Sequence, residues 1–100
     1  MASVAVNVST LGANNLGISV AGKIIRVRAI YLYAAGAVSL TIQDTTPTSF
    51  SGPIPLTTTM GLMAHWNREG HFDLGQGKDL NLNLSAAVAV TGWIDYDVVG

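Results

Sequence analysis

The chain has 100 residues, a formal net charge of −1, 49% hydrophobic residues and only 11% charged ones. That length makes one domain, residues 1–100, burying roughly two-thirds of its unfolded surface. Charge runs far below the ~25% usual for soluble domains, so part of the apolar surface is expected to be covered by another subunit or partner. Nothing forms the basic field a nucleic acid requires, and the absence of cysteine excludes disulfides and thiolate metal sites. The N-terminal stretch Met1–Val6 lacks the basic and long apolar segments of a secretory signal. No apolar run approaches the ~20 residues of a membrane helix.

In chain order, Val4, Val6 and Val8 alternate with Ala5, Asn7 and Ser9, which predicts a short first strand at an edge. Residues 11–17 hold glycines and asparagines that tolerate positive φ and read as a loop. Ile18-Ser19-Val20 reads as a brief strand. Residues 23–34 form the longest predicted strand, rich in β-branched and aromatic residues. Both of its parities are apolar, so it is buried on two faces or a bulge switches its facing midway. Arg26 and Arg28 share one face, where they snorkel or pair with Asp95 or Asp97; the sharper alternative is contact with an acidic partner.

Ala35-Gly36 lies between two alternating runs and predicts a hairpin, although a looser turn also fits. Val38, Leu40 and Ile42 alternate with Ser39, Thr41 and Gln43, a strand with one buried face. Residues 44–59 hold all three prolines and read as a long irregular segment, without an interior strand. Phe50, Ile54 and Leu56 are placed to pin this segment to the body or to carry it toward a neighbouring subunit. Short strands are predicted over 61–66 and 71–74, with turns at 67–70 and 75–79.

The last quarter has the clearest pattern. Leu80, Leu82, Leu84, Val88, Val90, Ile94, Tyr96 and Val98 are all even-numbered, so one face of the closing strands enters the core. Asn81, Asn83, Thr91, Asp95 and Asp97 take the other face and are expected in solvent. Ser85-Ala86-Ala87 turns one strand into the next, and Gly92 marks a bulge or a close packing contact. Helical periodicity never persists, so the pattern predicts an all-β antiparallel sandwich or barrel of about eight strands, with jelly-roll topology preferred.

No catalytic constellation is evident. Nucleophile-elbow and phosphate-loop sequences are missing, and Asp95 and Asp97 have no predicted cleft in which a carboxyl would be tuned. His65, Arg68, Glu69, His71 and Asp73 are the densest polar cluster, yet the six-residue histidine spacing matches no ligand motif, and a turn with ordinary surface polars is the simpler reading. No metal or other cofactor is expected. Trp66, Trp93, Tyr31, Tyr33 and Tyr96 suit either a core or interface role or a carbohydrate platform. Trp93 stands on the polar face, which suggests an intersubunit contact.

Gly70-His71-Phe72-Asp73, then Gly77, Leu80 to Ser85, Ala87 to Gly92 and Tyr96 follow in a layout that also takes in Gly22–Ala29 and Ser51–Leu56. This layout resembles small structural proteins of tailed bacteriophages. The resemblance implies a virion component without enzymatic activity, made in the host cytoplasm and placed on the capsid surface. Its implied role is that of a capsid decoration (cement) protein, a homo-oligomer, typically a trimer, that bridges capsomers and binds the major capsid protein or another virion protein. The interface candidates are Trp93, Phe50, Ile54, Arg26 and Arg28. Neither nucleic acid nor membrane is an expected partner. The alternatives are a collar, tail or fibre-associated phage protein and a carbohydrate- or receptor-binding sandwich.

Overall fold

The structure is a computed structural model that describes residues 2–100. Among the described residues nine strands follow one another: β1 (Ala2–Val8), β2 (Gly12–Asn15), β3 (Ile24–Ala34), β4 (Val38–Asp44), β5 (Ile54–Leu56), β6 (Leu62–Ala64), β7 (Phe72–Asp73), β8 (Leu80–Leu84) and β9 (Val90–Val99). They build two antiparallel sheets. Sheet A has the order β1-β9-β3-β6, with β7 also pairing with β3, and sheet B has the order β2-β8-β4-β5. The chain is therefore an all-β antiparallel sandwich, as the alternation predicts.

The core lies between the sheets. Sheet A supplies Val6, Ile25, Val27, Ile30, Leu32, Val90 and Ile94, and sheet B supplies Leu40, Ile42, Leu56, Leu80, Leu82 and Leu84. The even face of β8 and β9 is buried through Ile94, and Tyr96 is half-buried. Val98 departs from the expectation and is 45% exposed; the described part of β1 lies beside β9 only as far as Tyr96.

β3 has a bulge. Its register against β9 shifts between Val27 and Ala29, opposite Tyr96 and Asp95. The inward residues are Ile25 and Val27 before the bulge and Ile30, Leu32 and Ala34 after it, so odd parity gives way to even. An extra residue on one strand has that effect. The β6–β7 connection satisfies the backbone here: Asn67 N–H donates to the Arg28 carbonyl (2.9 Å) and His71 N–H to the Val27 carbonyl (2.7 Å).

Several connections differ from the sequence reading. Residues 35–37 are not a hairpin turn, since β3 and β4 belong to different sheets. A tight primed turn wants positive φ, and Gly36 does not adopt it. The chain instead crosses the core, so that β3 and β4 line opposite walls. Residues 11–17 contain β2, which pairs with β8. Ile18-Ser19-Val20 is not a strand: the Ile18 N–H donates to the Asp79 carboxylate (2.9 Å) and its side chain plugs the core.

The proline-rich segment contains β5, at the edge of sheet B. Pro55 stands opposite Ser39, whose N–H and carbonyl are both directed at Ser85. The position opposite is thus not asked for a ladder bond, and proline is tolerated.

The candidate interface and the two outer faces

On the outer face of sheet A one register row crosses all four main strands: Ala5 on β1, Trp93 on β9, Tyr31 on β3 and Met63 on β6. Strand alternation brings these side chains to one face, and the bulge in β3 puts Tyr31 there. The Tyr31 and Trp93 rings are 4.8 Å apart and tilted by 31°. His65 meets Tyr31 edge-on at 6.2 Å. Tyr33, two residues along β3, brings its hydroxyl within 3.9 Å of the Met63 sulfur. Trp93 is 45% exposed, Tyr33 49%, Trp66 50% and Met63 52%, so large apolar groups gather on a solvated face. A concentration of that kind marks contact surfaces.

The opposite end of the same face is charged, and its charges pair within the chain. Arg26 forms a two-pronged bond to Asp73, at 2.8 and 3.1 Å. Arg28 donates to Asp97, to the Arg68 carbonyl and, at 3.4 Å, to the Asn67 carbonyl. Its guanidinium carbon also lies 5.9 Å from the centre of the Trp66 ring, a cation–π distance. The hydrogen bond from Arg28 holds Asp97 below the usual carboxylate range. Asp97 is thus tied into an ion pair, the pairing the sequence offered alongside a solvated carboxylate. Asp95 accepts a hydrogen bond from Ser3. Arg28 takes one of the expected partners, Asp97, whereas Arg26 takes Asp73, because β7 pairs with β3 at that position.

Phe50 and Ile54 are half-buried against the core. The Phe50 ring stacks on Phe72 at 4.9 Å and 12°, joining the proline-rich segment to β7. Both residues therefore pin their segment to the body.

His65 and His71 come together, with His71 Nε2 2.8 Å from the His65 carbonyl. Among the described residues, no three His, Cys, Asp or Glu side chains converge as a metal site would require. No helix there is long and apolar enough to cross a membrane. Met63 was the contributor sequence reasoning missed. Its odd number, opposite the parity of half-buried Leu62 and Ala64, was the available signal.

The outer face of sheet B is chemically unlike that of sheet A. Its rows are Asn15–Asn81–Gln43 and Ala13–Asn83–Thr41. Asn83 Nδ2 donates to Gln43 Oε1 (3.4 Å), and Gln43 Nε2 donates to Ser49 Oγ (3.2 Å). The molecule is two-faced, with aromatic and thioether groups on one sheet and amides and hydroxyls on the other.

Compared with protein-family models, curated proteins and solved structures, the chain matches none of them. The likeness to phage structural proteins rests on the sequence pattern alone.

Proposed function

We propose that this chain is a virion structural protein of a tailed phage, a capsid decoration protein that binds the assembled head through the outer face of sheet A. The observation that carries the reading is the row Trp93–Tyr31–Met63, in which Trp93 and Met63 are exposed and Tyr31 half-buried, with exposed Tyr33 beside it. Large amphipathic side chains of this kind dominate protein interfaces. Arg26 and Arg28 on the same face are engaged with Asp73 and Asp97, which leaves the apolar part more available to a partner.

The ring geometry favours a protein partner over a sugar. Carbohydrate binding uses ring faces open to solvent. Here the Trp93 and Tyr31 rings pack on each other at 4.8 Å with a 31° tilt, which occupies part of the surface a sugar would stack on. The strand order fits the same role. If β6 and β7 count as one broken edge strand, the orders β1-β9-β3-β6 and β2-β8-β4-β5 support a jelly-roll reading, a fold used by viral capsid domains and by lectins alike. In this reading the chain does no chemistry. It adds interface area to a symmetric shell, where weak contacts gain from repetition.

Cryo-electron microscopy of the particle tests the proposal. Density for this chain on the head lattice, with sheet A toward the shell, is the expected result. Density at the tail or collar would reassign the protein to those structures, and specific retention on a glycan array would favour the receptor-binding alternative.

A further inference from the structure

The two sheets have four edges, and three of them are blunted. β2 is four residues long, with Gly12 at positive φ followed closely by two asparagines. β5 is three residues long and contains Pro55. The last edge of sheet A is broken into β6 and β7, of three and two residues. β1 has none of these protections. It runs for seven residues without charge, proline, glycine or bulge, in unbroken register with β9 from Ala2↔Tyr96 to Val8↔Val90. No other described strand pairs with its far side. Such a strand offers a row of N–H and carbonyl groups to a further strand.

The side chains of β1 select the occupant. Val4, Val6 and Val8 face inward, and Ser3, Ala5 and Asn7 face outward and are exposed. An antiparallel copy laid with Ala5 opposite Ala5 sets Val4 against Val6 of the copy, Ser3 against Asn7 and Ala2 against Val8. Apolar groups then meet apolar groups, the polar pair meets on the outer face, and no like charges are opposed. The register is its own twofold, and the small Ala5 at its centre leaves the approach open.

We infer that the chain dimerises by antiparallel β1–β1 pairing centred on Ala5. The joined sheet runs continuously from one β6 to the other. It places the two Trp93 residues three strand spacings apart, about 14 Å. The pairing is made by the edge of β1, although Ala5 also stands beside Trp93 in the row proposed for docking. It also replaces the implied trimer with a dimer, because a twofold contact closes after two copies.

Size-exclusion chromatography with light scattering on the intact chain is expected to give a dimer. A monomer or a trimer across the micromolar range overturns the inference. Ala5→Lys opposes two like charges at the twofold and weakens dimerisation roughly fivefold or more. Ala5→Glu does the same, and an equimolar mixture of the two variants restores the dimer. Undiminished dimers from either variant alone, or a mixture no tighter than its components, would refute the register. Hydrogen exchange on the unaltered chain provides a second reading. Amides of β1 gain protection as concentration rises, and concentration-independent protection there overturns the inference without any variant. Head binding is compared on the unaltered chain at concentrations above and below dimerisation, because a charge at Ala5 would also alter the row beside Trp93.

Discussion

Gly92 sits where β9 passes closest to β3. Its φ is +147°, and a Cβ there would lie 1.8 Å from the Tyr31 carbonyl oxygen. Neither that conformation nor that distance admits a side chain. Gly92→Ala is therefore expected to destabilise by about 3 kcal/mol or more, combining backbone strain with a clash against main chain. Chemical denaturation measures this, and a shift below about 1 kcal/mol would show that the two strands can part without loss.

Asp44 is the other residue whose chemistry reaches beyond its position. It is buried at the end of β4, and its carboxylate accepts N–H bonds from Thr46 (2.9 Å), Thr48 (2.9 Å) and Gly75 (3.1 Å). Burial pushes the carboxyl up, but the hydrogen bonds from Thr46, Thr48 and Gly75 outweigh it and leave it below the ordinary aspartate value. A depressed folded value means stability present above the unfolded value, near ~4, and lost as pH falls through the folded one. Asp44→Asn should cost about 1–3 kcal/mol at neutral pH. It should also flatten the decline of the urea midpoint between about pH 5 and 2; an identical acid slope in the variant would exclude Asp44 as its source. The two residues differ in how far they could be read beforehand. Gly92 interrupts an alternating strand and announces a bulge or close contact. Asp44 looks like the first residue of a polar loop, because its donors come from residues 46, 48 and 75, and only the fold brings the last of them near.

At the scale of elements, alternation was readable wherever one face of a strand meets the core. β4, β8 and β9 obey it through Ile94, and the inward Leu82 is fully buried. Leu82→Ala should therefore cost roughly 2–5 kcal/mol in equilibrium unfolding; a change near zero would mean that the even face of β8 is not packed. The mixed parity of residues 23–34 was readable as two alternatives, and the bulge at Arg28 decides between them. What alternation does not carry is pairing. Whether β3 turns back on β4 or crosses to the other sheet depends on φ at Gly36 and on β9 and β8 arriving as competing partners. β2 was hidden because its four residues, Gly-Ala-Asn-Asn, have poor strand propensity and are ordered by β8. β5 was hidden because proline argues against a strand unless the strand lies at an edge, and edges belong to topology.

Across the whole molecule, the exposed aromatic residues gather on the sheet A side, while Leu11 and Met60 are exposed in connections. The candidates split accordingly. Trp93 stands at the centre of the exposed row, Arg26 and Arg28 are held by Asp73 and Asp97, and Phe50 and Ile54 are half-buried. Under the proposed decoration role, Trp93→Ala is expected to lower binding to undecorated heads at least tenfold, since an interface hot-spot tryptophan contributes about 2 kcal/mol or more, on the order of a thirtyfold change in Kd. It should move the thermal midpoint little. Parallel loss in cosedimentation and melting assays would assign the residue to folding.

The strand order has a temporal side as well. β8 and β9, the last two strands in chain order, occupy central positions in sheets B and A. β1 and β2 find their partners only there, from 66 residues (Asn15↔Asn81) to 94 residues (Ala2↔Tyr96) further along the chain. During synthesis neither sheet can close until residues 80–99 have left the ribosome. The N-terminal strands wait as unpaired, uncharged polypeptide, and topologies so rich in distant pairing fold in milliseconds to seconds. A protein made in quantity with this architecture is exposed to premature self-association before it folds, and the same valine-rich β1 is the segment left waiting longest.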